Sequence, residues 1–158
     1  MKKVVIVNLI AIVTIITISE ILIRYFELSN LRGYGKNIFY SENGITLTKP
    51  NTKTEIFGKD VWTDKYGFRI PFNKARNTGD LDNILILGDS VSFGVGVEEE
   101  FTFVGNLRKE NKHNFFNASV SGHNLESYLH LISKYNKDLN VKFDNTIIFL
   151  CLNDIIFY

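Results

Sequence analysis

The stretch VVIVNLIAIVTIITISEILI, Val4 to Ile23, constrains this chain most: about 20 mostly apolar residues with no glycine or proline among them. As a helix rising ~1.5 Å per residue it covers the ~30 Å hydrocarbon core of a bilayer. Lys2 and Lys3 stand before it, and the positive-inside tendency then keeps the N-terminus cytoplasmic and the rest of the chain outside. Glu20 lies near the outer end, where a charge costs less. A cleaved signal peptide has a shorter apolar core and a small-x-small site, and SEILIRYFELSN offers none. A buried strand pair would need a turn inside the run. The expectation is an uncleaved, single-pass signal-anchor with the lipid bilayer as its partner.

The remainder is ordinary for a globular protein. With 45% hydrophobic residues, 22% charged residues and a net charge of +1, nothing argues for nucleic acid or a strongly charged partner. Cys151 is the only cysteine, which excludes an internal disulfide, and no Cys/His set has zinc-site spacing. No metal and no cofactor are expected. The sequence divides into the anchor (1–23), a strand-rich extracytoplasmic linker region (24–82) and an α/β domain (83–158).

In the linker region, IFYSENGITLT places Asn43-Gly44 between two β-prone runs, the pair a tight type I′ hairpin turn requires. DVWTDKYGFRIP alternates aromatic and polar residues, with Gly67 at a turn and Arg69 read from spacing as a solvated loop charge. From residue 83 the pattern changes. NILIL is a short apolar run of the kind a parallel strand buried on both faces shows. Glu98 to Glu100 stand where a helix's first turn favours acids, followed by Phe101, Val104 and Leu107 at helical spacing. NFFNASVSG gives a second strand. Leu125, Tyr128, Leu129, Ile132, Tyr135 and Leu139 form one helical stripe, and NTIIFLCLND is a third strand. Strand, helix, strand, helix, strand predicts a right-handed parallel α/β sheet.

Ligands of such sheets bind beyond the carboxyl ends of the strands. There the first strand ends in Gly88-Asp89-Ser90, the second in Ser119-Val120-Ser121-Gly122 and the third in Asn153-Asp154. Together they supply a hydroxyl, an approachable backbone N–H and a carboxamide donor, which is what acyl transfer needs as charge develops on a carbonyl oxygen. Other motifs fail on spacing. The G-x-S-x-G elbow would need glycine at Ser92, no lysine follows Gly94 as a phosphate loop demands, and the Gly94–Gly96 pair lacks the third glycine of a dinucleotide fingerprint.

These blocks resemble the SGNH, or GDSL-type, hydrolases. ILGDSVSFGVGVEEEFTF is similar to that family's first block, NASVSGHN to its second and CLND to its third, and YGFRIP (Tyr66 to Pro71) is similar to a segment preceding the first block in membrane-anchored members. The resemblance implies a flavodoxin-like parallel sheet with flanking helices. It also implies that Ser90 is the nucleophile, with its own N–H, Gly122 and Asn153 forming the oxyanion hole for a small-molecule or glycan ester. Cys151 stands where the third block usually has glycine. The family's Asp-x-x-His block lies downstream of the third block, and none of His113, His123 and His130 is in such a block.

His123 directly follows Gly122 and is read as a polar loop residue at a helix start. His130 and His113 are read as solvated, and Cys151 as a buried, inert mid-strand thiol. Asp89 and Asp154 are expected to order the loops rather than act as bases. Two functions of different class follow. One is a membrane-anchored serine esterase, acyl hydrolase or O-acyltransferase. The other is a truncated, catalytically inactive SGNH-like membrane protein that keeps the pocket without its base.

Overall fold

A computed structural model describes residues 2–25, 38–72, 80–110 and 112–155. The chain forms two compact units, Met1–Tyr34 and Gly35–Tyr158. In the first, Lys2–Tyr25 is a single helix, α1, long and apolar enough to cross a membrane. Several of its polar side chains are satisfied within the helix. Thr14 and Thr17 donate their hydroxyls to the carbonyls of Ile10 and Val13, both at 2.8 Å, and Glu20 pairs with Arg24 one turn on, at 2.8 Å. Its apolar side chains are exposed all round.

The second unit opens with the expected hairpin, β1 (Phe39–Glu42) and β2 (Ile45–Thr48). Asn43 and Gly44 take φ of 51° and 81°, the two left-handed residues of a type I′ turn. A second hairpin, β3 (Lys53–Ile56) and β4 (Lys59–Thr63), turns in the same way at Phe57-Gly58. The short β5 (Arg69–Ile70) follows, entered through a turn in which the Asp64 carboxylate accepts from the N–H groups of Tyr66 and Phe68, each at 2.9 Å.

The parallel strands are β6 (Asn83–Gly88), β7 (Asn114–Asn117) and β8 (Asn145–Phe149). They do not form a sheet alone. One six-stranded sheet runs β3-β4-β5-β7-β6-β8, with β6 parallel to both β7 and β8 and antiparallel pairing from β7 outward through β5. The fold is therefore α/β with a mixed sheet, a correction to an all-parallel expectation. The described part of the 24–82 region supplies three of its strands.

Helices α3 (Phe103–Lys109) and α4 (Leu125–Asp138) connect the parallel strands. On one face Leu85, Leu87, Phe116 and Ala118 pack with Tyr128, Leu131 and Tyr135 of α4. On the other, Ile84, Ile86 and Phe115 pack with Val104 of α3. Alternation along β6 thus buries both faces, each under its own helix.

Two helix readings need correction. The acids do not open α3: Glu99–Phe101 is a single 3-10 turn, and α3 begins after Thr102, whose hydroxyl accepts from Gly105 N–H at 3.1 Å. Phe101 is consequently exposed, whereas Glu99 is buried and paired with Arg108. On α4, Leu131 is fully buried while Leu129 is 63% exposed. At about 100° per residue, residues 128, 131 and 135 share a face from which 129 points away.

Candidate functional site

The connection from β6 to β7 leaves on one side of β6, and the connection from β7 to β8 returns past it to the other. The carboxyl end of β6 is therefore a topological switch point, the place where open α/β sheets leave a crevice. Gly88-Asp89-Ser90 occupies it. Gly88 ends the strand against Ser92, and an added Cβ would collide with the Ser92 side chain, so the tight exit requires glycine.

Ser90 begins a short helix, α2 (Ser90–Phe93), and is half-buried. Asp89 caps that helix, its Oδ1 accepting from Val91 N–H at 2.9 Å. This satisfies one of the orphan donors of a helix start and fixes the turn carrying Ser90. The far end of the helix is held from below. Arg69, fully buried, donates to the carbonyl oxygens of Phe93, Gly94 and Val97, and its guanidinium stacks 4.8 Å from the Phe93 ring centre. Burial pushes its pKa down to about 10. The solvated-charge reading of Arg69 is thus overturned. Three backbone carbonyls and an aromatic face compensate its desolvation, and none of them is near it in sequence. Asn117, also buried, donates to Ser92 O at 3.1 Å and accepts from Ser119 N–H at 3.1 Å, joining the end of β7 to α2.

The second loop carries Gly122 at φ +85° with open space where a side chain would be. His123 beside it is 3% exposed, and its Nε2 lies 2.7 Å from Thr46 O. A carbonyl only accepts, so Nε2 bears the proton and Nδ1 is the bare nitrogen. Burial pushes the His123 pKa down, against the opposing pull of that bond and of Asp154. His123 is therefore a buried neutral anchor tying the second loop to β2. His130 is exposed and His113 half-exposed.

The third strand stops at Phe149, and Leu152–Ile155 forms a short helix, α5. Cys151 is consequently not mid-strand but at the start of that helix, a second correction. A hydrogen bond to Asp89, with partial burial, pushes its thiol pKa up, so it stays protonated and is a poor nucleophile. Asp154, 2% exposed, accepts from Tyr128 Oη at 2.8 Å and from Cys151 N–H at 2.9 Å. The reactive atoms of Asp89, Cys151 and Asp154 all lie within 4.8 Å of one another. Both aspartates order loops, as expected. Asn153 lies in α5, but its side chain is outside the described residues.

The fold thus brings the loops bearing Ser90, Gly122 and Asn153 to one sheet edge, and Asp89, Cys151 and Asp154 join the first of these loops to the third. Arg69, Asn117, His123 and Tyr128 support these loops; Arg69 lies in YGFRIP and Asn117 and His123 in NASVSGHN, but neither block announces these contacts. Compared with known proteins, the chain matches no family model and no curated protein sequence.

Proposed function

We propose that this chain carries the serine and oxyanion-hole blocks of a membrane-anchored SGNH-type esterase or O-acyltransferase, acting on ester-linked acyl groups of small molecules or glycans in the manner of a flavodoxin-like hydrolase. The observation that carries the reading is Ser90 at the switch point, on a turn fixed by Asp89 on one side and by the Arg69-held loop on the other. Ser90 Oγ attacks the ester carbonyl carbon while its proton passes to a base. The resemblance assigns that base to a histidine of an Asp-x-x-His segment, a role that none of His113, His123 and His130 fills, so the full step needs such a segment joined to these blocks. The carbonyl oxygen, now negative, takes hydrogen bonds from the N–H groups of Ser90 and Gly122 and from the Asn153 amide. The C–O bond breaks, the leaving alkoxide takes the proton, and water or a sugar hydroxyl then releases the acyl group from Ser90. α1 holds the catalytic part outside the cytoplasm, and protease should fail to reach it in sealed inverted vesicles.

The test is hydrolysis of an aryl acetate in membranes by the protein carrying a downstream Asp-x-x-His segment, which should raise by orders of magnitude the feeble turnover expected of residues 1–158 alone. Ser90→Ala should remove enzymatic turnover, and Asn153→Ala should cost roughly 10²–10³ in kcat by deleting one oxyanion donor. Equal rates for Ser90→Ala and its parent would reduce Ser90 to a turn residue.

A further inference from the structure

Among the described residues, a hydrogen bond between two buried side chains that the ester chemistry itself does not use runs from the helix after the second loop to the third loop. Asp154 is the third residue of α5. Its Oδ2 reaches back to Cys151 N–H at 2.9 Å, the acidic half of a capping box, which fixes the turn that carries Asn153. The same oxygen accepts from Tyr128 Oη at 2.8 Å. Tyr128 is fully buried in the first turns of α4, whose cap residue Asn124 accepts from Ser127 N–H at 3.0 Å and stands two residues after Gly122. The Gly122 segment is further pinned through His123, by its N–H to Val120 O at 3.2 Å and by its ring to Thr46 O at 2.7 Å. Both loops are also tied to the end of β6, the second by Val120 N–H to Gly88 O at 3.2 Å and the third by Cys151 beside Asp89, and the Tyr128–Asp154 bond closes this frame directly between them.

We infer that Asp154 and Tyr128 are a positioning pair that holds the turn carrying Asn153 against the Gly122 segment, so that the two loops present their donors to one ester carbonyl oxygen. The inference rests on the esterase reading above. The direction of the bond is fixed chemically. Burial and the Asp154 carboxylate push the phenol pKa far up, so Tyr128 is always the donor and Asp154 the acceptor. Oxyanion donors act by preorganisation, and small displacements of such groups cost rate out of proportion to the energy of the bond that held them.

The experiment compares variants of the protein carrying a downstream Asp-x-x-His segment, in membranes on an aryl acetate, with amide hydrogen exchange across 120–124 and 151–154. Tyr128→Phe, which removes one oxygen and keeps the ring, should lower kcat about tenfold or more, leave KM unchanged and speed exchange in both loops. Asp154→Asn keeps an oxygen that accepts from both donors and should retain most of the rate that Asp154→Ala loses. Leu131→Ala, a core change on the same helix, should lower stability without lowering kcat per folded molecule. Parental kcat in Tyr128→Phe, alongside an inactive Ser90→Ala, would overturn the pairing and leave the esterase reading standing. An equal kcat loss in Leu131→Ala would show only a structural role. Equal rates for Ser90→Ala and its parent would remove the esterase reading and this inference together.

Discussion

β6 and β8 are neighbouring parallel strands with similar apolar sequences, NILILG and NTIIF, yet the sheet treats them differently. β6 lies between two partners and is buried from Ile84 to Gly88. β8 is the edge, exposed or half-exposed along its length, with Ile147 36% exposed and Leu150 just beyond it 53% exposed. An apolar run reports that a strand prefers burial; its place in the sheet order decides how much burial it receives. The same order puts Ser90 at the protected end of β6 and, among the described residues, leaves β8 paired on one side only, and an unpaired strand edge invites association between chains.

Substitutions along the two strands sharpen the contrast. Leu85→Ala, at a position with no exposure, should destabilise by about 2–5 kcal/mol through lost burial and a residual cavity, read as a fall in the denaturation midpoint. Gly88→Ala should cost about 1–3 kcal/mol, because the new methyl displaces buried Ser92; with its effect on the turn, it should depress ester turnover further than Leu85→Ala does per folded molecule. On β8, Ile147→Thr should fall within about 0.5 kcal/mol of the parent. A cost at Ile147 equal to that at Leu85 would mean that β8 is covered in the folded protein, and the contrast would fail.

How much of this was legible in the residues follows the range of the interactions. The Asn43-Gly44 turn and the buried β6 are local, and their residue types announce them. The joining of β3, β4 and β5 to the parallel strands is not local, since an antiparallel pairing between Arg69 and Asn117 leaves no periodicity behind. Arg69 was misread for the same reason: its acceptors are carbonyls 24 to 28 residues away, and carbonyls have no sequence signature. Phe57-Gly58 shows the complementary case, a type I′ turn whose first residue is not a usual turn former. Of the site, the three loop motifs and the loop-ordering aspartates Asp89 and Asp154 are readable, and the supporting contacts of Arg69, Asn117, His123 and Tyr128 are not.

The His123 anchor gives a pH-dependent version of the comparison. Its folded pKa lies below the ordinary 6.5, so the unfolded chain binds the proton more readily. The stability it contributes is then fully present above about pH 6.5 and is lost as pH falls from there toward its folded pKa. Denaturation midpoints followed downward from pH 7.5 should therefore decline, and His123→Gln should flatten that part of the curve. An unchanged slope in the variant would mean that His123 is not the buried neutral group described.

The central claim is that Ser90, at the end of the buried strand, forms a covalent acyl intermediate. The most direct measurement is acid quenching of the protein carrying a downstream Asp-x-x-His segment during turnover of an aryl acetate, followed by mass mapping of the acetyl group. The account predicts one added acetyl on the peptide containing Ser90, absent from Ser90→Ala. Acetyl found only on lysines or on Cys151, equally in both proteins, would contradict it.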